Sequence, residues 1–353
     1  MTTHPSPAYA RTPDEFTAEW LTDALRAGGS AGGVSRVLAV EPVGTGQMAS
    51  CYRITVEPTG DAPATLVAKV PAPGANEMSA NGYRNELDFY RLLAPLVRAR
   101  IPRCYYGAID GSGMAFVLLL EDLAPAVQGD QIAGCDVAEA HAAVRNLADA
   151  HGPLWNHPVL ETFGSSATAF DPEILVQYLA WGTDEFIGRY EDRLDPEHTE
   201  VLRSFCASVR GFRMNQPEAR SVQHGDYRLD NLLFRLDDGI SSCAVVDWQT
   251  AAVGAPVHDL SYFVATGLRV EDRRAHEKGL VAAYGEQLRT HGVDRTDDEL
   301  WRDYCFGQGH GVIISVLGAV VAARTDRGDD MFMAMTERVC AAILDLDALA
   351  LYG

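Results

Sequence analysis

Between Ser221 and Phe234 the chain reads SVQHGDYRLDNLLF, which sets His224, Asp226, Arg228, Asp230 and Asn231 between apolar ends. Flanks this apolar belong to a buried strand or strand end. A carboxylate buried there is costly unless it is paired or acts on a ligand. A second apolar run, SSCAVVDWQT, follows and carries Asp247 near its end. If the two runs pair as a hairpin, with RLDDGI as the loop, Asp226, Asn231 and Asp247 gather at one end of it. Two carboxylates and an amide oxygen are hard donors. They suit Mg²⁺, which keeps waters and takes its remaining ligands from substrate phosphates. One carboxylate can instead accept the proton of a hydroxyl nucleophile.

The elements around this hairpin fall into two kinds. After an irregular start, residues 12–29 read as one amphipathic helix with Thr12 as N-cap, Pro13 in its first turn and glycines as its stop. Residues 34–71 read as three antiparallel strands: VSRVLAVEPV, CYRITVEP and ATLVAKVPAP, the first two joined by the Gly-rich GTGQMAS. Residues 76–97 have a helical pattern, and RCYYGAID and MAFVLLLEDL form two strands around a Gly turn. From Asp136 onward most segments are helical, interrupted only by the β island at 221–247. Strands first and helices later predict an α+β protein of two lobes, 1–122 and 123–353, with the catalytic hairpin at 221–250 in the second.

Composition narrows the chemistry. The 353 residues carry a formal net charge of −20, so a basic surface that follows a nucleic-acid backbone is not expected. An acidic balance favours, if anything, cationic substrates. The seven cysteines are scattered, odd in number and never in C-x-x-C, which argues against disulfides and zinc and for a reducing cytoplasm. The N-terminus has no apolar signal core. The longest apolar run, residues 311–323, is expected to be a buried helix rather than a membrane span.

The five-residue step from Asp226 to Asn231, with Asp247 on a later strand, has the spacing of the protein-kinase catalytic motifs. The stretch HGDYRLDNLLF…VVDWQ…HDLSYF resembles the aminoglycoside phosphotransferase and choline kinase superfamily, which shares the protein-kinase-like fold. Within it the likeness is closest to the ecdysteroid-kinase-like branch and its bacterial relatives. It is good over residues 40–265 and rests on helical character alone beyond.

The resemblance implies an ATP- or GTP-dependent phosphotransferase acting on a small-molecule hydroxyl. Asp226 would be the base; Asn231 and Asp247 would hold Mg²⁺. The loop with Gly44, Gly46 and Ser50 would cover the phosphates. Lys69, the only lysine in residues 1–122, would grip them, held by a helical glutamate. Glu86 suits that role better than Glu77 or Asp88. The backbone of Leu120, Glu121 and Asp122 would meet the adenine edge, with no special side chain required. Asp259 and His224 would support the catalytic loop, and Arg228 would contact phosphate or pair with Asp230. Tyr178, Trp181, Tyr262, Trp301, Tyr304 and the DDMFMAM stretch are candidates for the acceptor pocket, against simple core packing.

DWQ stands where protein kinases have D-F-G, and no A-P-E follows, which disfavours protein substrates. Acceptors handled by such relatives range over aminoglycosides, choline-like amines, macrolides, steroid-like alcohols and hydroxyacyl thioesters. Apolar residues in the last third favour a lipophilic alcohol; the net charge favours an amine. Two other readings remain at this point: a nucleotide-binding pseudokinase acting as a scaffold, and a metal-dependent phosphoesterase. Nothing points to a nucleic-acid or membrane partner, and the oligomeric state is open.

Overall fold

The structure, a computed structural model, describes residues 9–10, 12–44, 48–163, 172–237 and 239–353. The chain forms two compact units. The first comprises residues 1–95 and 101–124; the second comprises residues 96–100 and 125–353. The division thus falls two residues beyond the expected boundary, and the short segment 96–100 groups with the helical unit. Its backbone explains why: Arg100 N–H donates to Asn146 Oδ1 (2.6 Å), and Val245 N–H donates to Arg100 O (3.0 Å).

Unit 1 is a five-stranded antiparallel sheet in the order β1-β2-β3-β5-β4, built from β1 (Gly33–Pro42), β2 (Ala49–Thr59), β3 (Thr65–Pro71), β4 (Cys104–Ile109) and β5 (Phe116–Glu121). Helix α1 (Ala18–Ala27) covers one face. The period-2 alternation of strand side chains sends Leu66, Ala68 and Val70 of β3 into that core with Leu21, Leu25, Ile54 and Val56. Lys69, between them in sequence, therefore projects to the other face, where α2 (Glu77–Asp88) packs.

Two expected helices differ at their ends. Pro13–Glu15 forms one isolated 3₁₀ turn, and the helix starts at Ala18, because Thr17 rather than Thr12 supplies the capping oxygen to Trp20 N–H (3.1 Å). The 76–97 pattern ends as an α-helix at Asp88, and Phe89–Leu93 continues as a π-helical turn that buries Phe89, Tyr90 and Leu93.

Unit 2 holds α3 (Val137–His151), α4 (Pro172–Tyr190), α5 (Pro196–Met214), α6 (Val257–Gly267), α7 (Val270–Thr290), α8 (Asp297–Val321) and α9 (Asp326–Asp345). Two small sheets accompany them. One pairs β7 (Ser221–Gln223) with β10 (Ala252–Gly254); the other has the order β6-β8-β9, from β6 (Val127–Gln128), β8 (Leu232–Asp237) and β9 (Ile240–Val245). The hairpin loop is shorter than the expected 235–240, since the strands run to Asp237 and Ile240. Every residue of α6 is buried, and α8 and α9 pack against it. By length and composition α8 could cross a membrane, yet 61% of its most apolar window is buried in the protein.

Candidate functional site

In unit 1 the charged centre is an ion pair. Lys69 Nζ lies 2.7 Å from Glu86 Oε2, with the two residues 5% and 0% exposed. Sheet alternation aims the lysine at α2, and helix geometry decides which acid it meets. Glu77 opens the helix, and Asp88 lies two residues past Glu86, about 200° around the axis. Tyr83 stacks on Phe116 with ring centroids 4.7 Å apart, and its hydroxyl donates to Met48 O. That bond ties the strand end of the Gly-rich stretch to α2. Gly44 has φ 77, a conformation that glycine adopts without strain; Gly46 lies outside the described residues. Ser50 is half-buried on β2, opposite Val70.

At the end of β5 the ladder engages Leu120, opposite Val67, and Glu121, whose N–H donates to Arg103 O (2.8 Å). Asp122 is the first of the three expected adenine-edge residues beyond the sheet. One side chain here has a structural part to play. Arg53 grips the Asp122 carboxylate through Nε (2.8 Å) and Nη2 (3.1 Å), and Asp122 Oδ1 also accepts from Ala124 N–H (3.1 Å). The side chain fixes the path of the chain as it leaves the sheet.

In unit 2 the catalytic-type loop is a turn between β7 and β8. Gly225, at φ 81, could carry no Cβ, because that atom would meet Thr250 O at 2.6 Å. Asp226 is half-buried, and two hydrogen bonds and an ion pair converge on its carboxylate. Tyr262 Oη donates to Oδ1 (3.0 Å), Asn231 Nδ2 to Oδ2 (3.0 Å), and Arg228 Nε lies 3.1 Å from Oδ2. Asn231 Nδ2 also donates to Asp226 O (2.9 Å). With its amide nitrogen engaged twice by Asp226, Asn231 has its Oδ1 left to offer elsewhere. Val246 N–H donates to Asn231 O (3.0 Å), which brings the following residue, Asp247, beside the loop. Asp247 has left-handed backbone, φ 67, a strained choice for a non-glycine and one that occurs at functional sites.

His224 and Asp259 lie beneath this loop, both fully buried. Asp259 Oδ2 accepts from His224 N–H (2.6 Å) and Oδ1 from Gly225 N–H (2.9 Å), while His151 Nε2 stands 3.3 Å from Oδ2. Burial pushes the Asp259 carboxyl up, but the His151 bond and the nearby imidazoles outweigh it and hold the group below the usual carboxylate range. The His224 ring bonds Val246 O (2.9 Å) and Asp226 N–H (3.2 Å), so it bridges the two sides of the loop.

Arg228 faces Asp226, Tyr262, Asp230 and Asp247. Burial works against its charge, and the surrounding negative groups more than restore it, so it stays a guanidinium. Its pairing with Asp226 is an arrangement neither sequence alternative contained; Asp230 bonds Arg327 instead, through two contacts of 2.9 Å. Tyr262 is buried beside Asp226, and both burial and that charge push its hydroxyl well above the ordinary value. It therefore remains a donor.

The donor set fits a divalent cation. Asn231 Oδ1 and the Asp247 carboxylate are hard oxygens on adjoining chain segments, a pair that suits a cation taking its remaining ligands from elsewhere. Among the described residues no group of three or more His, Cys, Asp or Glu could hold a metal, so a cation here would need oxygens from a bound phosphate and water.

The expected acceptor-pocket residues separate into two groups. Tyr262 and Tyr304 are fully buried, and Tyr304 donates to Glu277 Oε2 (2.8 Å); both are parts of the interior. Trp301 is half-buried, with the Lys278 ammonium 5.4 Å from its ring. Tyr178 and Trp181, exposed on α4, stand edge to face. In the DDMFMAM stretch Met331 Sδ accepts from Arg228 Nη1 (2.9 Å). Sequence reasoning missed Gln131, Arg327 and Arg338, which also hold the loop. Their signal is long-range and polar, outside any local motif.

A comparison with curated proteins found no match. Among solved structures, the GDP complex of wild-type aminoglycoside 2'-phosphotransferase-IIIa superposes with a TM-score of 0.57 at 18% identity, covering 86% of this chain and 93% of that one. Plasmodium vivax ethanolamine kinase gives 0.54 at 12% identity (85% and 81% covered), and macrolide 2'-phosphotransferase from Brachybacterium faecium gives 0.52 at 17% (84% and 92% covered). At these identities the likeness is one of fold, a kinase-like pairing of an antiparallel-sheet lobe with a mainly helical lobe. Residues 39–297, most of the chain and all the catalytic, nucleotide and metal residues expected from the sequence, match the phosphotransferase enzyme family, and the chain belongs to that family.

Proposed function

We propose that the protein transfers the γ-phosphoryl group of a nucleoside triphosphate, ATP or GTP, to a hydroxyl group of a small molecule. The observation that carries this reading is the Asp226–Asn231 pair. One carboxylate is held by two hydrogen bonds and an ion pair with its oxygens oriented, and the amide beside it is turned so that its oxygen is offered. Phosphoryl transfer asks the protein chiefly for such positioning and for charge stabilisation.

Asp226 orients the acceptor hydroxyl and takes its proton late. Arg228 keeps that carboxylate in place and adds positive charge beside it. Asn231 and Asp247 would hold Mg²⁺, which when bound neutralises phosphate charge. Lys69, held by Glu86, contacts the nucleotide phosphates, and the Gly44–Ser50 stretch covers them with backbone amides. The chain from Asp122 onward, fixed by Arg53, meets the base.

The acceptor reading leans toward an alcohol with an apolar body. Ile174, Tyr178 and Trp181, at i, i+4 and i+7, form an exposed apolar stripe on α4. α8 packs beside it, since a Cβ on Gly182 would meet the Leu317 side chain. α8 also carries His310, whose Nε2 lies 3.4 Å from Gly225 O in the catalytic loop. Ile313, Ile314 and Leu317 continue that helix outward from His310 with partly exposed side chains. The test is ATP and GTP consumption with Mg²⁺ across a panel of hydroxylated lipids, steroids, amines, aminoglycosides and macrolides, with product mass to show a gain of one phosphate. Nucleotide binding without transfer to any acceptor would favour the scaffold reading instead.

A further inference from the structure

The helix that grips the catalytic loop hardest lies outside the family match. That match ends at residue 297, and α9 runs from Asp326 to Asp345. Arg327, Met331 and Arg338 sit at i, i+4 and i+11, within about 40° of one another around the helix and spread over about 16 Å of it. Arg327 and Met331 reach the loop directly, and Arg338 reaches it through Gln131. Arg327 clamps the Asp230 carboxylate through Nη1 to Oδ2 and Nη2 to Oδ1, both 2.9 Å. Met331 Sδ receives Arg228 Nη1 at 2.9 Å. Arg338 donates to Gln131 O (2.9 Å), Thr266 O (2.9 Å) and Ile132 O (2.6 Å).

Gln131 relays that last contact. Its Oε1 accepts from Leu229 N–H (2.8 Å), and its own N–H donates to Asp230 Oδ1 (3.1 Å). Gln128 Nε2 adds a bond to Asp230 O (2.5 Å). Leu229–Asn231 is therefore a single 3₁₀ turn bonded from outside along its length: Leu229 and Asp230 by Gln131, Gln128 and Arg327, and Asn231 through its carbonyl by Val246 N–H.

We propose that Arg327 is a positioning residue for phosphoryl transfer, acting through Asp230 to hold Asn231 in the orientation that presents its Oδ1. Asp230 is 8% exposed while the Arg327 side chain is 49% exposed, so the carboxylate depends on the arginine more than the arginine depends on it. Without the clamp, a buried carboxylate next to Asn231 draws the 3₁₀ turn toward solvent. A displacement of about 1 Å in such a group can cost about 100-fold in rate. The two-pronged geometry matters as well as the charge: a planar guanidinium matches both carboxylate oxygens, and an ammonium does not.

The inference rests on the phosphotransferase reading above, and the experiment separates the two. Arg327→Gln, Arg327→Lys, Asp230→Asn and the Arg327→Gln/Asp230→Asn double variant are compared with wild type, with melting temperature confirming a folded state. Three quantities are read: kcat with the acceptor found in the panel, ATP affinity by calorimetry with and without Mg²⁺, and amide hydrogen exchange over residues 228–231. Arg327→Gln is expected to lower kcat about 10- to 100-fold. It should also abolish the Mg²⁺-dependent part of ATP binding while leaving metal-free ATP affinity unchanged, and speed exchange at Leu229 and Asn231. Arg327→Lys should restore less than a third of the lost rate, and the double variant should be no worse than the poorer single one. An active wild type whose Arg327→Gln variant keeps kcat, Mg²⁺-dependent affinity and exchange within twofold overturns the proposal. Full rescue by Lys overturns it too, in favour of direct anion binding by Arg327. A wild type that transfers no phosphate, with exchange still accelerated in Arg327→Gln, removes the phosphotransfer reading and leaves the loop clamp standing.

Discussion

In unit 1 the charged centre is a pair of full opposite charges, Lys69 and Glu86, contributed by one strand and one helix and closed off from solvent. In unit 2 the Asp226 carboxylate is half-buried and shared among a phenol, an amide and a guanidinium, from α6 and from its own loop. The two designs fail differently. A buried ion pair that loses one partner leaves a stranded charge, so its failure is abrupt and appears in stability. A carboxylate held by several donors can lose one and keep its place, so its failure is graded and appears in rate. The following predictions press on that contrast, from the largest effect to the smallest.

Asp226→Asn should reduce transfer by about 10²–10⁴-fold, as removal of a general base does, and toward the lower figure because a loose transition state needs little early deprotonation. Stability should hold. Two hydrogen-bond donors and the Arg228 guanidinium converge on this position, so an amide NH₂ must face one of them. Tyr262 is the partner that can adapt, because a hydroxyl can turn to accept where Asn231 Nδ2 and Arg228 Nε cannot. Rate, nucleotide affinity and melting temperature measured on one preparation decide the matter. An unchanged rate with a lowered melting temperature would make Asp226 a turn support and nothing more.

Lys69→Ala should destabilise unit 1 by about 3–5 kcal/mol by stranding Glu86. Glu86→Ala strands the lysine in turn. In the double variant no charge is stranded, so its loss should fall well short of the sum of the two. Denaturant melts of all four proteins form the cycle. Additive losses would mean that the two side chains act apart despite their 2.7 Å contact.

This pair also shows what was legible beforehand. The strand order around Lys69 could be read because polar turns separate runs of strand-forming residues, and the α+β, two-lobe organisation followed from strands preceding helices. The helix that brings Glu86 was legible in its start, at Asn76, whose side chain caps Ser79 N–H (3.2 Å). Its end was not: the π-helical turn at Phe89–Leu93 depends on where three apolar side chains find room. At the first helix two threonines, Thr12 and Thr17, competed as caps, and Pro13 favoured the wrong one. In unit 2 the spacing of Asp226, Asn231 and Asp247 was local and could be counted. The bonds from Tyr262, Gln131, Arg327 and Arg338 join residues 36 to more than 200 apart, and hydrophobic periodicity carries no trace of such polar contacts.

Tyr262→Phe removes one of the two hydrogen bonds on the Asp226 carboxylate and nothing else in the loop. A hydrogen bond to a charged group contributes about 1.5–3 kcal/mol, part of which the remaining donors recover. The expected result is a kcat about tenfold lower with the acceptor KM unchanged. The aromatic ring stays in place against His310, so packing should survive. The opposite split, KM raised and kcat kept, would return Tyr262 to the acceptor-pocket role that its sequence position suggested.

The smallest effect concerns acid. His258 and His310 stack with ring centroids 5.1 Å apart behind the catalytic loop. Burial pushes both imidazoles below their ordinary value, and for His258 the neighbouring His310 adds to it. Arg213 acts in the same direction on each. Asp259 opposes on both, as do Asp226 and the Gly225 carbonyl on His310, without reversing the result. A histidine whose folded value is depressed is neutral in the fold and takes up a proton only on unfolding. Its contribution to stability is therefore intact above the unfolded value of about 6.5 and shrinks as pH falls below it, until the folded value is reached. Between pH 7 and pH 6 stability should therefore fall. The fall should appear as a lower denaturation midpoint for unit 2, while the Lys69–Glu86 cycle in unit 1 gives the same coupling at both pH values. Replacing His258 with Gln keeps a polar group near Gln223 and takes one titrating site away, so the pH 7-to-6 difference should shrink. A variant whose pH dependence equals that of wild type would place the acid sensitivity elsewhere, and a wild type equally stable at the two pH values would show that the histidine pair can be protonated inside the fold.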